Sequence, residues 1–160
     1  MESNKINSRK EQVGVLLIGH GSRLPENNKT MTKLADMYKE YTDFKVAVAY
    51  MELCKPNIPT ALDDLVKNTK IDTIIAVPVF LSHGMHTTRD IPKILRIANN
   101  DDHNEVHDHD NHKHSHGHEH DHHHEFEKVN FDGKIIYTEP LGADPLLVEI
   151  IKNRVDTALK

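Results

Sequence analysis

Seven consecutive residues without a polar side chain, Val13–Gly19 (VGVLLIG), and a longer, largely apolar run over residues 71–81 (IDTIIAVPVFL) constrain this chain most. A half-exposed strand alternates apolar with polar positions, whereas a short β-branched run that is apolar throughout suits a strand covered on both faces. Residues 44–51 (FKVAVAYM) and 134–138 (KIIYT) read as weaker strands of the same kind. Helices are expected between them. Residues 29–41 set Met31, Leu34, Ala35 and Tyr38 on one face, and residues 59–66 open with a proline suited to a first turn. A third helix is expected from about Asp90 to about Ala98, with Pro92 in its first turn. A fourth is expected over 145–159 behind an Asp144 cap, with Leu147, Ile150, Ile151, Val155 and Ala158 facing inward. Strand and helix in alternation predict an α/β fold: an open parallel sheet of about four strands with helices on both faces.

The 160 residues suffice for one such domain. Eleven of the fourteen histidines lie between His103 and His124, interleaved with acids and accompanied by a single apolar residue, Val106. That stretch cannot contribute to a core, so residues 99–128 are expected to form a flexible His/Asp/Glu-rich insertion in a domain spanning 13–160, behind a flexible tail at 1–12. Residues 101–127 hold nine acids against Lys113, a local −8, so within the formal charge of −5 the rest of the chain carries +3. A mildly basic body suits an anionic small molecule. No apolar run reaches membrane-span length and the polar start lacks a secretory core, so a cytoplasmic protein is expected, with no membrane partner. Cys54 is the only cysteine, which excludes an intrachain disulfide and fits a reducing compartment. Few aromatics and no basic stripe argue against a nucleic-acid partner.

In open α/β sheets, ligands bind beyond the carboxyl ends of the strands. His20, Gly21 and Ser22 follow the first strand, Glu52 the second, His83, Gly84, His86, Thr87 and Thr88 the third, and Glu139 the fourth. Three histidines on one edge suit a borderline divalent metal, and an imidazole also accepts a proton near neutral pH. The Gly19-His20-Gly21-Ser22 tetrad is not a nucleophile elbow, a phosphate loop or a dinucleotide fingerprint, because each lacks a required residue here. Arg89 and Asp90 read as helix-start residues, Cys54 as a packing residue, and the His-rich stretch as a loose metal binder. A storage protein whose His-rich stretch is its whole function remains a second reading.

Four ordered segments together are more specific: LLIGHGSRLPENN at 16–28, YMELCKPNIPTAL at 50–62, VPVFLSHGMHTTRDIPKIL at 77–95 and EPLGADP at 139–145. The set resembles the small archaeal sirohydrochlorin chelatases of the CbiX type. The resemblance implies a single chelatase-like, flavodoxin-like lobe that inserts nickel or cobalt into sirohydrochlorin during tetrapyrrole coenzyme synthesis, whether the nickel coenzyme of methanogens or cobalamin. It implies no permanent cofactor, the ion being a substrate. Siroheme ferrochelatase is the nearest alternative.

The resemblance further implies His20 and His86 as metal ligands and catalytic residues, with His20 first a ligand and then a proton acceptor. The backbone of Leu81, Ser82, His83, Gly84, Met85 and His86 is expected against the macrocycle, with Gly84 allowing close approach, His83 secondary as a ligand and Glu52 facing the substrate. At Lys55 the family pattern has an acidic substrate contact; this chain offers a cation, which could hold a carboxylate arm. Larger chelatases of this kind surround the tetrapyrrole with two lobes, so a homodimer with the site at its interface is expected.

Overall fold

The computed structural model describes residues 12–97 and 126–160. The tail expected over 1–12 and the insertion expected over 99–128 lie outside the described residues except for Gln12 and residues 126–128. Four parallel strands form one sheet in the order β2-β1-β3-β4: β1 (Val13–Gly19), β2 (Lys45–Tyr50), β3 (Thr73–Pro78) and β4 (Lys134–Tyr137). Strand order reverses between β1 and β3, the switch point at which open sheets of the flavodoxin-like kind leave a crevice for a ligand.

Register explains the apolar runs. Leu17 pairs with Val48 on one side and Val77 on the other, and its neighbours Leu16 and Ile18 point to the opposite face. On that opposite face Leu16, Ile18, Ala49, Ile74 and Ala76 meet α2 (Ile58–Val66) through Ile58, Ala61, Leu62 and Leu65, and α3 (Ile91–Ile94) through Ile91 and Ile94. Val129 completes this core, and Phe126 packs against it. On the first face, Val15, Leu17 and Tyr50 pack on Met31 and Ala35 of α1 (Pro25–Lys39). Proline in the first turn and Asn57 accepting from the Thr60 N–H start α2.

Three helices depart from expectation. The first begins at Pro25 rather than at residue 29 and ends at Lys39, and of its expected face only Met31 and Ala35 are buried, while Leu34 and Tyr38 are exposed. The third helical segment begins earlier than Asp90, with one π-helical turn over His86–Asp90 closed by the Ile91 N–H on the His86 carbonyl, before α3. The fourth, α4 (Pro145–Ala158), has its Asp144 cap, which accepts from the Leu146 N–H at 2.8 Å, but its apolar side chains do not face inward. None of its residues is buried: Leu146 is 74% and Ile151 63% exposed, and Ile150 and Val155 are exposed as well. The apolar spacing is present, but among the described residues nothing lies beneath it, so the inward-facing expectation fails. Among the described residues, no helix is long and apolar enough to cross a membrane.

Candidate metal centre

β1 ends at Gly19, and its ladder with β2 runs on past both strands: the Met51 N–H donates to the Gly19 carbonyl at 3.0 Å and the Glu52 N–H to the His20 carbonyl at 3.1 Å. Glu52 is thereby carried alongside His20. The crossing is tight, because Gly21 has φ +97° and a Cβ there would lie 1.9 Å from the Glu52 carbonyl oxygen. Only glycine fits that position. Beyond Glu52 the chain turns through Leu53 at φ 65° and a cis Lys55–Pro56 peptide, and returns with the Tyr50 N–H on the Pro56 carbonyl.

From the other side of the switch point, the π turn after β3 delivers His86. Its ring lies edge-on to that of His20, with centroids 5.0 Å apart, and Phe80 stands 6.4 Å from the His20 ring. His20 Nε2 is 3.3 Å from a Glu52 carboxylate oxygen. One donor atom from each of His20, Glu52 and His86 lies within 4.8 Å of the other two. With metal–nitrogen bonds of about 2.1 Å, opposed donors sit at most about 4.2 Å apart, so small side-chain movements bring all three onto one ion. All three side chains are part-exposed, which leaves coordination positions open for an incoming ligand.

Each imidazole is held by its other nitrogen. His20 Nδ1 contacts the Gly21 carbonyl at 3.1 Å, and His86 Nδ1 contacts Asp90 Oδ2 at 2.9 Å. With the proton on Nδ1 in both rings, both Nε2 lone pairs are free for metal. The Asp90 side chain is only 9% exposed and takes Arg89 Nε on its second oxygen at 3.0 Å. The π turn is fastened in turn: Thr87 Oγ1 accepts from the Gly84 N–H at 2.8 Å, and the Tyr137 hydroxyl of β4 donates to the Thr87 carbonyl at 2.9 Å. Burial first, and then the Glu139 charge, push the Tyr137 hydroxyl up to about 12. Tyr50, under the β2 end, is also raised, by burial and then by Cys54.

The remaining expected residues surround this trio. Leu81, Ser82, Gly84 and Met85 are exposed on the connection from β3 to His86, and a Cβ on Gly84 would meet nothing within 4 Å. His83 is not among the converging donors and pairs with Glu139 at 2.7 Å. Lys55 is exposed on the loop after Glu52. Sequence reasoning missed two features. Glu52, read as substrate-facing, stands among the metal-capable donors, and Asp90, read as a helix-start residue, holds His86. The His86-x-x-x-Asp90 spacing was a usable signal, since residues four apart on a helical turn are neighbours.

The CbiX family profile matches residues 14–158. The chain belongs to the CbiX family. It is 45% identical over 159 residues to the sirohydrochlorin cobaltochelatase of Methanothermobacter thermautotrophicus, covering 99% of this chain and 100% of that one. To the sirohydrochlorin cobaltochelatase of Methanocaldococcus jannaschii it is 48% identical over 141 residues, covering 88% and 95%. Among solved structures, a putative cobalamin biosynthesis CbiX protein from Marinobacter aquaeolei aligns with a TM-score of 0.61 at 24% identity, over 92% of this chain and 94% of that one. SirB from Bacillus subtilis, solved with Fe3+, aligns with a TM-score of 0.60 at 23% identity, over 89% of this chain but 46% of that one. These two likenesses establish the CbiX lobe as the fold, with SirB about twice as long.

Proposed function

We propose that this CbiX-family chain is a cytoplasmic sirohydrochlorin chelatase that inserts a divalent ion, cobalt or nickel, with release of two pyrrole protons, in tetrapyrrole coenzyme synthesis, including the nickel coenzyme of methanogenesis. The observation that carries the reading is the convergence of His20, Glu52 and His86 beside an open edge, with each imidazole held through Nδ1, by the Gly21 carbonyl or by Asp90. Nearly full-length relatives named sirohydrochlorin cobaltochelatase support the substrate. In this reading the ion arrives on His20 and His86, and the pyrrole nitrogens displace the imidazoles from it. A pyrrole proton passes to Glu52, and the other to His20 Nε2 once that nitrogen has released the metal, because a metallated nitrogen has no lone pair for a proton. The exposed segment Leu81–Met85 lies against the macrocycle, and Lys55 holds a carboxylate arm.

The same reading includes a homodimer with the site at its interface. Leu24, Leu53, Leu81, Met85 and Leu141 stand exposed around the donor trio, an apolar rim that one lobe leaves in water. A single lobe also spans about half of SirB. Anaerobic incubation of the protein with sirohydrochlorin and, separately, cobalt, nickel or ferrous iron, followed by absorbance, tests the activity. Metallated spectra that form faster with enzyme than without are expected for cobalt and nickel. Unchanged rates with both would overturn the reading, and acceleration by iron alone would replace it with siroheme ferrochelation.

A further inference from the structure

Among the described residues, three that are not glycine have a left-handed backbone: Leu53 at φ 65°, Asn68 at 56° and Arg96 at 59°. Asn68 and Arg96 each stand one residue past the C-cap of a helix, after Lys67 of α2 and Leu95 of α3, where a left-handed residue is an ordinary way to stop. Leu53 ends no helix. A three-residue turn closes around it instead, the Cys54 N–H donating to the Glu52 carbonyl at 2.8 Å. With a positive φ at its centre, a turn of that span is the rare and strained form, and a bulky side chain there costs more than glycine would. Glycine would serve this backbone better, as it does at Gly21 across the same Glu52 carbonyl. What leucine adds is an isobutyl group. That group joins neither packed cluster of the fold, and Leu53 is 51% exposed.

Strain kept in order to hold an apolar group in water points to a ligand that covers the group on binding. Leu53 directly follows Glu52, one of the three converging donors, and stands two residues before the exposed Lys55. With Met51, Cys54 and Asn57, these three line an open hollow of about 320 Å³ at the end of β2. The hollow therefore offers a carboxylate able to take a proton, an apolar side chain and an ammonium side by side. A four-ring macrocycle is too large for it, but one corner of such a ring system fits the set: a pyrrole N–H, a flat apolar face and a carboxylate arm. We propose that this hollow seats one pyrrole corner of sirohydrochlorin, with Leu53 packed on the face of the ring while Lys55 holds its arm. This rests on the chelatase reading above and adds the contact made on the β2 side of the donors, across the switch point from Leu81–Met85. The left-handed turn then has a purpose, since it sets an apolar contact for the substrate immediately beside the carboxylate that receives the substrate's proton.

The test titrates metal-free full-length protein into sirohydrochlorin under anaerobic conditions and reads the dissociation constant from the change in tetrapyrrole absorbance. Leu53→Gly keeps the turn, because glycine takes a positive φ freely, and removes only the side chain. It should bind about tenfold more weakly, the effect of losing the burial of half a leucine side chain, with its thermal transition retained. Leu53→Asn also tolerates the left-handed backbone but presents an amide, and should be weakened to the same degree. Leu53→Met restores an apolar contact and should return to within about threefold of the parent. Parent-like binding by both the glycine and asparagine variants, or a methionine variant as weak as glycine, overturns the contact while leaving chelation standing. So does a Leu53→Gly protein that sediments as a lighter species than the parent without substrate, because Leu53 would then belong to the contact between copies. A parent that binds no sirohydrochlorin overturns the chelatase reading and this subsite with it.

Discussion

A divalent ion takes an imidazole only at an unprotonated nitrogen, so what the far side of a ring touches decides whether it can bind. Asp90 takes the proton-bearing Nδ1 of His86 and is itself aligned by Arg89, which makes it a positioning residue. Asp90→Asn can donate through its amide to Nδ1 and leave the proton on Nε2, the wrong tautomer. We expect a ~10–100-fold loss of metal affinity, the usual cost of removing such a partner, with recovery in Asp90→Glu. Nitrogen NMR of the His86 ring in the metal-free protein should show the tautomer change, which a merely structural defect would not produce. His20→Ala and His86→Ala should each slow insertion by ~10²-fold or more, as expected for a group that handles both ion and proton. Both residues lie outside the buried core, so thermal unfolding should be unchanged. An insertion rate equal to the parent under limiting metal would remove that histidine from the mechanism.

At the scale of elements, the π turn is tied to the sheet by a long-range bond from the Tyr137 hydroxyl to the Thr87 carbonyl. Tyr137→Phe should cost about 0.5–1.5 kcal/mol of stability, measured by denaturant unfolding, and loosen His86 enough to raise the metal concentration needed for half-maximal rate. The pH dependence follows from the direction of the shift. The folded state holds the Tyr137 proton up to about 12 while an unfolded tyrosine releases it near 10, so its contribution is complete below pH 10 and is lost as pH rises toward 12. Tyr137→Phe should flatten that part of the alkaline decline. The four strands were legible because burial on both faces leaves an unbroken apolar run, and His20 and His86 because strand ends are where such sheets bind ligands. Glu52's place beside His20 was not legible, since it depends on Gly21 passing under a carbonyl from another strand. Nor was the π turn, because the difference between a four- and a five-residue hydrogen bond leaves no mark in apolar spacing. The α4 stripe was legible, but a stripe shows only that a surface is required, not which chain provides it.

The molecule as a whole separates a basic body that carries the donor trio from the acidic, His-rich stretch between Ile97 and Phe126, both of which pack on the core. Replacing residues 101–125 with a short Gly/Ser linker should keep the fold, because loop closure changes by only about 0.6 kcal/mol per doubling of length. Chelation should stay near the parent rate with plentiful cobalt or nickel and fall only when metal is buffered to scarcity. Loss of activity at saturating metal, in a variant shown to be folded, would place the stretch in the catalytic site. The backbone bonds that prolong the β1–β2 ladder through Gly19, His20, Met51 and Glu52 also limit how a gene for this protein can change. An added codon within β1 reverses every side chain after it and turns His20 to the other face of the sheet, whereas added codons between those for Ile97 and Phe126 leave that register untouched. Heritable variation in length is therefore filtered by position: the donors can be replaced by substitution, but the spacing between them cannot drift by insertion.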